Sequence, residues 1–150
     1  MPLASMRVCQ LSVLLMLATG LASLGQSMAT LEGTWLTADG SSKIRFEPCA
    51  GALCGRLIWL RDPNDPATGR PIRDKNNPNP ALRTRRLLGI AIFTDILPTE
   101  PGKWRAKAYN AEDSNIYDVT LKRIAPNQLG LTGCGLAGLI CKTEVWTRTE

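Results

Sequence analysis

Short segments in which apolar and polar residues alternate run through the chain from position 33 to its end. In segment 43–47, Ile44 and Phe46 fall on one side and the charged residues on the other. Such alternation, bounded by Gly, Pro, Asn and Asp, is typical of antiparallel strands with one buried face. Alternating segments at 43–47, 103–108, 117–121 and 129–131, together with strand-like runs at 33–37, 53–60, 88–96 and 143–149, predict about eight strands. That number and spacing suit an all-β fold, either a small barrel or a sandwich.

The same alternation predicts which side chains face the core. The inward rows are Trp104, Ala106 and Ala108; Tyr117, Val119 and Leu121; and Leu129 with Leu131. All four tryptophans fall on predicted strands, where core packing is the default interpretation. Segment 88–96 is apolar on both faces. It suits either a central strand or the end of a short helix beginning near Pro80, and we favour the strand.

The first 29 residues have the pattern of a secretory signal peptide. Arg7 precedes an apolar run at 11–18, and the small residues Ser27 and Ala29 fit the cleavage site. The run is short for a membrane span of about 20 residues, although an uncleaved anchor is the alternative. We therefore expect a signal peptide at 1–29, one domain at 30–150, and a periplasmic or secreted protein.

The five cysteines fit an exported protein with two disulfides. Cys9 leaves with the signal peptide, so four cysteines remain in the mature chain. Pairing Cys49 with Cys54 and Cys134 with Cys141 would clamp two hairpins, and we prefer it to the two connectivities that cross-link the pairs. A zinc site of four thiolates is a weaker alternative, because neither spacing is Cys-x-x-Cys and export favours oxidation.

The chain contains no histidine, which removes several kinds of chemistry. Ser-His-Asp and Cys-His nucleophile pairs and His-rich metal sites are excluded. Glu112 and Asp113 are adjacent and fit a turn better than an acid–base dyad. We therefore expect a protein that is not an enzyme and that carries no cofactor or metal. An acid–base pair of Asp74 and Lys75 is a minor alternative.

A segment rich in Pro and Arg, residues 61–87, interrupts the strand pattern. Seven Lys and Arg residues against three Asp give it a charge of +4. Guanidinium groups suit carboxylates and phosphates, which favours an anionic ligand; Arg–Asp pairs that hold a loop together are an equally good explanation. Within the segment, Asn79 and Pro80 could cap and begin one helical turn. Nucleic acid is a poor candidate, because export and the lack of interleaved aromatics argue against it.

Two binding hypotheses follow from the charge of this loop. In the first, the mouth of a barrel takes a small amphipathic anion, such as a fatty acid or another lipid-like metabolite. The candidate ligand-binding residues are Arg61, Asp74, Asn76, Arg83 and Arg86, with Trp59 as an apolar wall. In the second, the protein is a structural or interaction protein of the cell envelope, which docks through the loop on anionic head groups or an acidic partner.

Landmarks along the mature chain resemble DUF2147, an exported bacterial family without an assigned function. They are Gly33-Thr34-Trp35, Asp39-Gly40, Cys49, Cys54-Gly55-Arg56, Trp59-Leu60, Asp74, Asn76-Asn77-Pro78, Leu87-Leu88-Gly89, Tyr109, Tyr117, Gly133-Cys134, Cys141 and Trp146. The resemblance implies export and a compact β-domain. The chain departs from it at residues 110–114, Asn-Ala-Glu-Asp-Ser, where the family usually reads Asp-Pro-x-Asp-Gly.

A second resemblance concerns architecture. Gly33 and Trp35 on the first strand, with Arg148 on the last as a basic residue able to cover the indole, look like the closing arrangement of lipocalin-type barrels. Together with eight predicted strands, it favours a lipocalin-like barrel over a sandwich. Trp146 shares its strand face with Glu144 and Arg148, and the sequence leaves open whether that face is interior.

Overall fold

The fold is a closed barrel of eight antiparallel strands, as the alternation predicts. The computed structural model of the protein describes residues 30–135 and 140–150; the predicted signal peptide lies outside them. Each strand pairs with the next, and β8 pairs with β1 to close the barrel. The strands are β1 (Gly33–Leu36), β2 (Ser42–Cys49), β3 (Ala52–Leu60), β4 (Ala91–Glu100), β5 (Lys103–Tyr109), β6 (Ile116–Ala125), β7 (Gln128–Gly135) and β8 (Ile140–Arg148).

The predicted inward rows form the core of the barrel. Ile44 and Phe46 on β2 are buried, and so are Trp104 on β5, Leu121 on β6 and Leu129 on β7. Aromatic side chains fill the centre, where the Phe93 and Phe46 rings lie 5.5 Å apart and the Trp146 ring meets Phe93 edge-on at 5.7 Å. Apolar burial of this kind is the main favourable term in folding. Trp35, Trp104 and Trp146 are therefore core residues, whereas Trp59 lies on the outer face.

The two ends of the barrel differ, because antiparallel strands place alternate connections at opposite ends. The β1–β2, β3–β4, β5–β6 and β7–β8 connections share one end, called here the long-loop end. The other end, called here the closed end, carries the short β2–β3, β4–β5 and β6–β7 turns. Both predicted disulfides are present. Cys49–Cys54 clamps the β2–β3 hairpin at the closed end, and Cys134–Cys141 joins β7 to β8 at the long-loop end.

Trp35 and Arg148 close the barrel as the lipocalin-like pattern predicts. The guanidinium of Arg148 lies 4.8 Å from the centre of the Trp35 ring and donates a 2.5 Å hydrogen bond to the Glu32 carbonyl. The Trp35 indole donates to the Leu31 carbonyl at 3.0 Å. This bond holds the buried Leu31 at the closed end of the barrel. Gly33 has a φ of 120°, and a Cβ there would lie 2.8 Å from the Glu150 carbonyl oxygen, so this close approach requires glycine.

Residues 61–90 connect β3 to β4 across the long-loop end. Two isolated bridges, Asn64 to Pro71 and Arg73 to Arg86, fold the segment on itself. The predicted helical turn is a single 3₁₀ turn, Pro80–Leu82, in which the Asn79 side chain accepts from the Ala81 amide. The segment that could have been strand or helix is a strand that begins at Ala91. Nothing helical in residues 30–135 or 140–150 is long and apolar enough to span a membrane.

Candidate functional site

An open cavity of about 290 Å³ lies at the long-loop end of the barrel. Strands β5 to β8 supply its walls, and space opens because the inward-facing side chains become smaller towards this end on β5, from Trp104 to Ala108, and on β7, from Leu129 to Gly133. Its volume is close to the lower end of the range for small-molecule sites, about 300 Å³. The residues that line it are Ala108, Tyr109, Asn110, Tyr117, Val119, Leu131, Gly133, Lys142 and Glu144.

Apolar side chains on β6 and β7 and an ion pair on β8 line the cavity. Val119 and Leu131 lie on neighbouring strands and face the interior. Glu144 pairs with Leu131 across β7 and β8, so it faces the same way, and its carboxylate accepts from the Lys142 ammonium at 2.7 Å. The hydrogen bond and the charge of Glu144 raise the pKa of Lys142, which keeps the ammonium charged. The cavity is therefore amphipathic.

Tyr117 faces the cavity from β6, and its hydroxyl is already bonded. It donates to the Asp113 carboxylate at 2.5 Å. This bond lowers the pKa of Asp113 and raises that of Tyr117. The contact holds the β5–β6 turn against the strand that follows it, beside the mouth of the cavity.

A fully buried carboxylate, Asp74, anchors the β3–β4 connection next to the cavity. Its Oδ1 accepts from the Tyr109 hydroxyl at 2.6 Å. Its Oδ2 accepts from Arg85 Nη2 at 2.7 Å, from Arg85 Nε at 2.9 Å and from Asn77 Nδ2 at 2.8 Å. A charge can be buried when it is paired and hydrogen-bonded in this way. The network joins three parts of the connection to the end of β5.

The pKa of Asp74 reflects two opposing effects. Burial raises it, but the hydrogen bonds from Tyr109, Arg85 and Asn77 and the positive charge of Arg85 outweigh burial and leave it lowered. The carboxylate is therefore ionised at neutral pH, with both oxygens occupied. Lys75, which would be its partner in an acid–base pair, is exposed.

Three of the predicted ligand-binding residues lie in this network or beside it. Asp74 is its centre. The Asn76 amide donates to the Glu112 carbonyl at 2.7 Å, which ties the connection to the β5–β6 turn. Arg83 donates from Nε to the Asn77 carbonyl at 2.7 Å. The structure thus brings these three together, and all three make contacts within the protein.

The other three predicted residues lie apart from one another. Arg61 donates to the Asp39 carbonyl at 2.7 Å in the β1–β2 connection. Arg86 is exposed, and its backbone forms the bridge to Arg73. Trp59 lies on the outer face of β3, with the Lys43 ammonium 5.6 Å from its ring centre. None of the six predicted residues is among the described residues that line the cavity.

The departure from the family pattern at 110–114 leaves the turn intact. Asn110 accepts from the Glu112 amide at 3.0 Å through its side chain, as an aspartate could. Ser114 has a φ of 65°, the left-handed conformation that the family's usual glycine adopts without strain. Its hydroxyl donates to the Asn76 carbonyl. Serine thus adds a contact between the turn and the β3–β4 connection.

The sequence predicted Ala108, Tyr117, Val119 and Leu131 as inward-facing core residues, but it did not predict the cavity that they line. Tyr109, Tyr117, Lys142 and Glu144 come from three strands and meet only when the barrel closes. One signal was present, because alternation places Glu144 on the strand face of Trp146. Trp146 is buried, so that face is interior.

One solved structure that is similar to this chain agrees with the barrel. Protein HP1028 from the human pathogen Helicobacter pylori, described as belonging to the lipocalin family, superposes with a TM-score of 0.67 at 26% identity, over 80% of this chain and 83% of that one. A redesigned beta barrel matches with a TM-score of 0.43 at 15% identity, over 83% of this chain and 96% of that one. No curated protein matches the sequence.

The family model for uncharacterised proteins conserved in bacteria, DUF2147, matches residues 33–148, from the first residue of β1 to the last of β8. The match covers the whole barrel, including the cavity and the Asp74 network. The chain is therefore a member of the DUF2147 family with a lipocalin-like barrel.

Proposed function

We propose that the protein is an exported, non-enzymatic binder of a small amphipathic ligand, which it holds in the cavity at the long-loop end. The observation that carries the proposal is the amphipathic lining of this cavity. Val119 and Leu131 supply an apolar wall, and Lys142 and Glu144 supply charge at the mouth. A few polar groups on a largely apolar wall are typical of small-molecule sites.

The head group of the ligand would be an anion, as expected from the sequence. Its partner in the protein would be Lys142 and not one of the predicted arginines. Lys142 is charged and its side chain is 82% exposed, so it can turn from Glu144 to a carboxylate without losing much burial. Arg61 and Arg83 already donate to backbone carbonyls. The apolar part of the ligand would lie against Leu131 and Val119.

No reaction is part of this proposal, because the titratable groups beside the cavity are paired with one another. Lys142 is bonded to Glu144, and Tyr117 to Asp113. These groups are therefore assigned to binding and to holding the turns.

The experiment that tests the proposal fills the cavity. A Cβ at Gly133 would lie 3.6 Å from Val119 Cγ1, an ordinary contact, so Gly133→Leu extends into the cavity without a backbone clash. Fluorescence titration with anilinonaphthalene sulfonate should show saturable binding to wild type, displacement by dodecanoate, and loss of binding in Gly133→Leu. The control is Thr132→Leu, because Thr132 is adjacent to Gly133 on β7 and lies on the outer face of the barrel. Equal binding to wild type and Gly133→Leu would refute the cavity as the site.

The role of Lys142 has its own test. Lys142→Gln should weaken dodecanoate binding by roughly fivefold, the effect of losing an exposed ionic contact. Binding of dodecanol, which has no charge, should be unchanged. Parallel weakening of both ligands would argue against a charge-specific role for Lys142.

A second function is favoured by the free arginines of the β3–β4 connection. Within the described residues, the guanidinium groups of Arg70 and Arg86 make no ion pair or hydrogen bond, and both side chains are exposed. We propose that they dock the protein on an anionic partner in the cell envelope. Docking and ligand binding use different residues, so the protein can have both functions.

A further inference from the structure

Four of the seven large apolar side chains that are exposed among the described residues lie at the long-loop end of the barrel. Trp59 is 39% exposed, Ile116 66% and Ile140 63%, and Leu88 is exposed as well. Single exposed apolar residues are ordinary on protein surfaces. These four residues lie at one end of the molecule, which distinguishes them from scattered exposed residues.

The strand directions place all four at this rim. Trp59 is the last residue but one of β3, and Leu88 lies just before β4. Ile116 is the first residue of β6, and Ile140 is the first of β8. Because β3 ends and β4, β6 and β8 begin at the long-loop end, the four residues are spread around its circumference.

Positive charge lies at the same end. Residues 61–87 carry a net charge of +4 in the β3–β4 connection, and Arg70 and Arg86 are exposed within it. The acidic residues Glu112 and Asp113 lie at this end too, on the β5–β6 turn. Asp39 lies at this end as well, and Asp62 and Asp65 lie within the β3–β4 connection, but the net charge of that connection is positive.

We propose that the long-loop end docks on the surface of an anionic lipid bilayer. The rim residues would enter the boundary between head groups and acyl chains, where tryptophan is favoured, while Arg70 and Arg86 contact lipid phosphates. An anionic membrane surface attracts each nearby basic residue with a free energy similar to that of one exposed ion pair. The inference rests on the second proposed function, and it names the partner; it does not depend on the cavity.

The test is flotation of the purified protein with vesicles. The protein should bind vesicles of phosphatidylglycerol and phosphatidylcholine and should not bind phosphatidylcholine alone. Arg70→Gln with Arg86→Gln should lower the partition coefficient by roughly 30-fold. Ile116→Ser with Ile140→Ser should lower it as well. Every variant has the same N-terminus as wild type, so a difference in vesicle binding can be attributed to the substituted residues.

Matched controls lie in the half of the barrel nearer the closed end. Leu97 and Ile124 are exposed to a similar degree, at 50% and 53%. Leu97→Ser with Ile124→Ser should leave vesicle binding unchanged. An equal loss in this control would show that any exposed apolar residue matters, and it would refute docking by the rim.

Trp59 provides a direct readout of insertion, since the other three tryptophans are buried. Vesicles with brominated acyl chains should quench the emission of wild type, and Trp59→Phe should remove that quenching. If the arginine variant loses binding but the isoleucine variant does not, and bromine does not quench, then the basic loop binds anionic surfaces through charge alone: the second proposed function holds, and insertion of the apolar rim is wrong. Absence of binding to the anionic vesicles would also overturn it.

Discussion

The hydroxyl of Tyr109 donates a 2.6 Å hydrogen bond to Asp74, which lies 35 residues earlier in the sequence. Tyr109 ends β5, and Asp74 lies within the irregular β3–β4 connection. The bond therefore fixes the longest connection of the barrel to the rim of the cavity. Because Asp74 is fully buried, loss of the Tyr109 hydroxyl would leave Asp74 Oδ1 without this donor and away from water.

Replacing Tyr109 by Phe should destabilise the protein by about 2 kcal/mol, because Asp74 Oδ1 loses its donor inside the network. Urea unfolding followed by circular dichroism measures the change. Tyr117→Phe is the matched control, since it removes a hydroxyl bonded to the exposed Asp113 and should cost less. Equal costs for the two variants would contradict a special role for the Asp74 network.

Asp74→Asn should remove part of the acid sensitivity of the fold. The folded-state pKa of Asp74 is lowered below 3.8, so the ionised carboxylate stabilises the native state above pH 3.8. That stability is lost as the pH falls through the lowered pKa. The difference in unfolding free energy between wild type and Asp74→Asn should be constant near neutral pH and should shrink below pH 3.8. A difference that does not change with pH would show that the charge of Asp74 contributes nothing.

The two disulfides should contribute similarly to stability and differently to binding. Replacing either pair by serine should cost about 2 kcal/mol, since both close short loops. Cys134–Cys141 joins the two strands that supply Leu131, Gly133 and Glu144 to the cavity, so its loss should also weaken binding of anilinonaphthalene sulfonate. Loss of Cys49–Cys54 at the closed end should leave that binding intact. Equal effects on binding would place the ligand elsewhere.

Arg148→Lys should destabilise the closed end although the charge is retained. Lysine lacks the planar group that lies over Trp35 and also reaches the Glu32 carbonyl. The expected cost is about 1 kcal/mol, from one hydrogen bond and a weaker cation–π contact. Thermal unfolding would detect it as a lower Tm, with Lys122→Arg as a surface control. An unchanged Tm would argue against the closing role of Arg148.

The sequence predicted the barrel well because burial of one strand face leaves a local record. Ile44 with Phe46, and Leu129 with Leu131, are separated by one residue, so their common orientation can be seen in a short window. The turn at Asn79 and Pro80 and the two disulfides are local as well. Each of these predictions is confirmed by the structure.

The site could not be predicted in the same way, because its contacts join distant parts of the chain. Arg85, the partner of Asp74, is one of seven basic residues in its segment, and nothing local distinguishes it from Arg83 or Arg86. Lys142 and Glu144 lie on the same face of β8 as Trp146, and only the fold shows that this face is interior. Asp74 was predicted from its sequence context as a ligand-binding residue, whereas its buried position among partners within the protein depends on the fold.

Native mass spectrometry of the protein recovered from the bacterial envelope tests ligand binding most directly. The denatured mass should correspond to cleavage after Ala29 and two disulfides. The native mass of wild type should exceed it by a discrete amount that organic extraction removes and that Gly133→Leu lacks. A native mass equal to the denatured mass in wild type would contradict the account of the cavity as a ligand site.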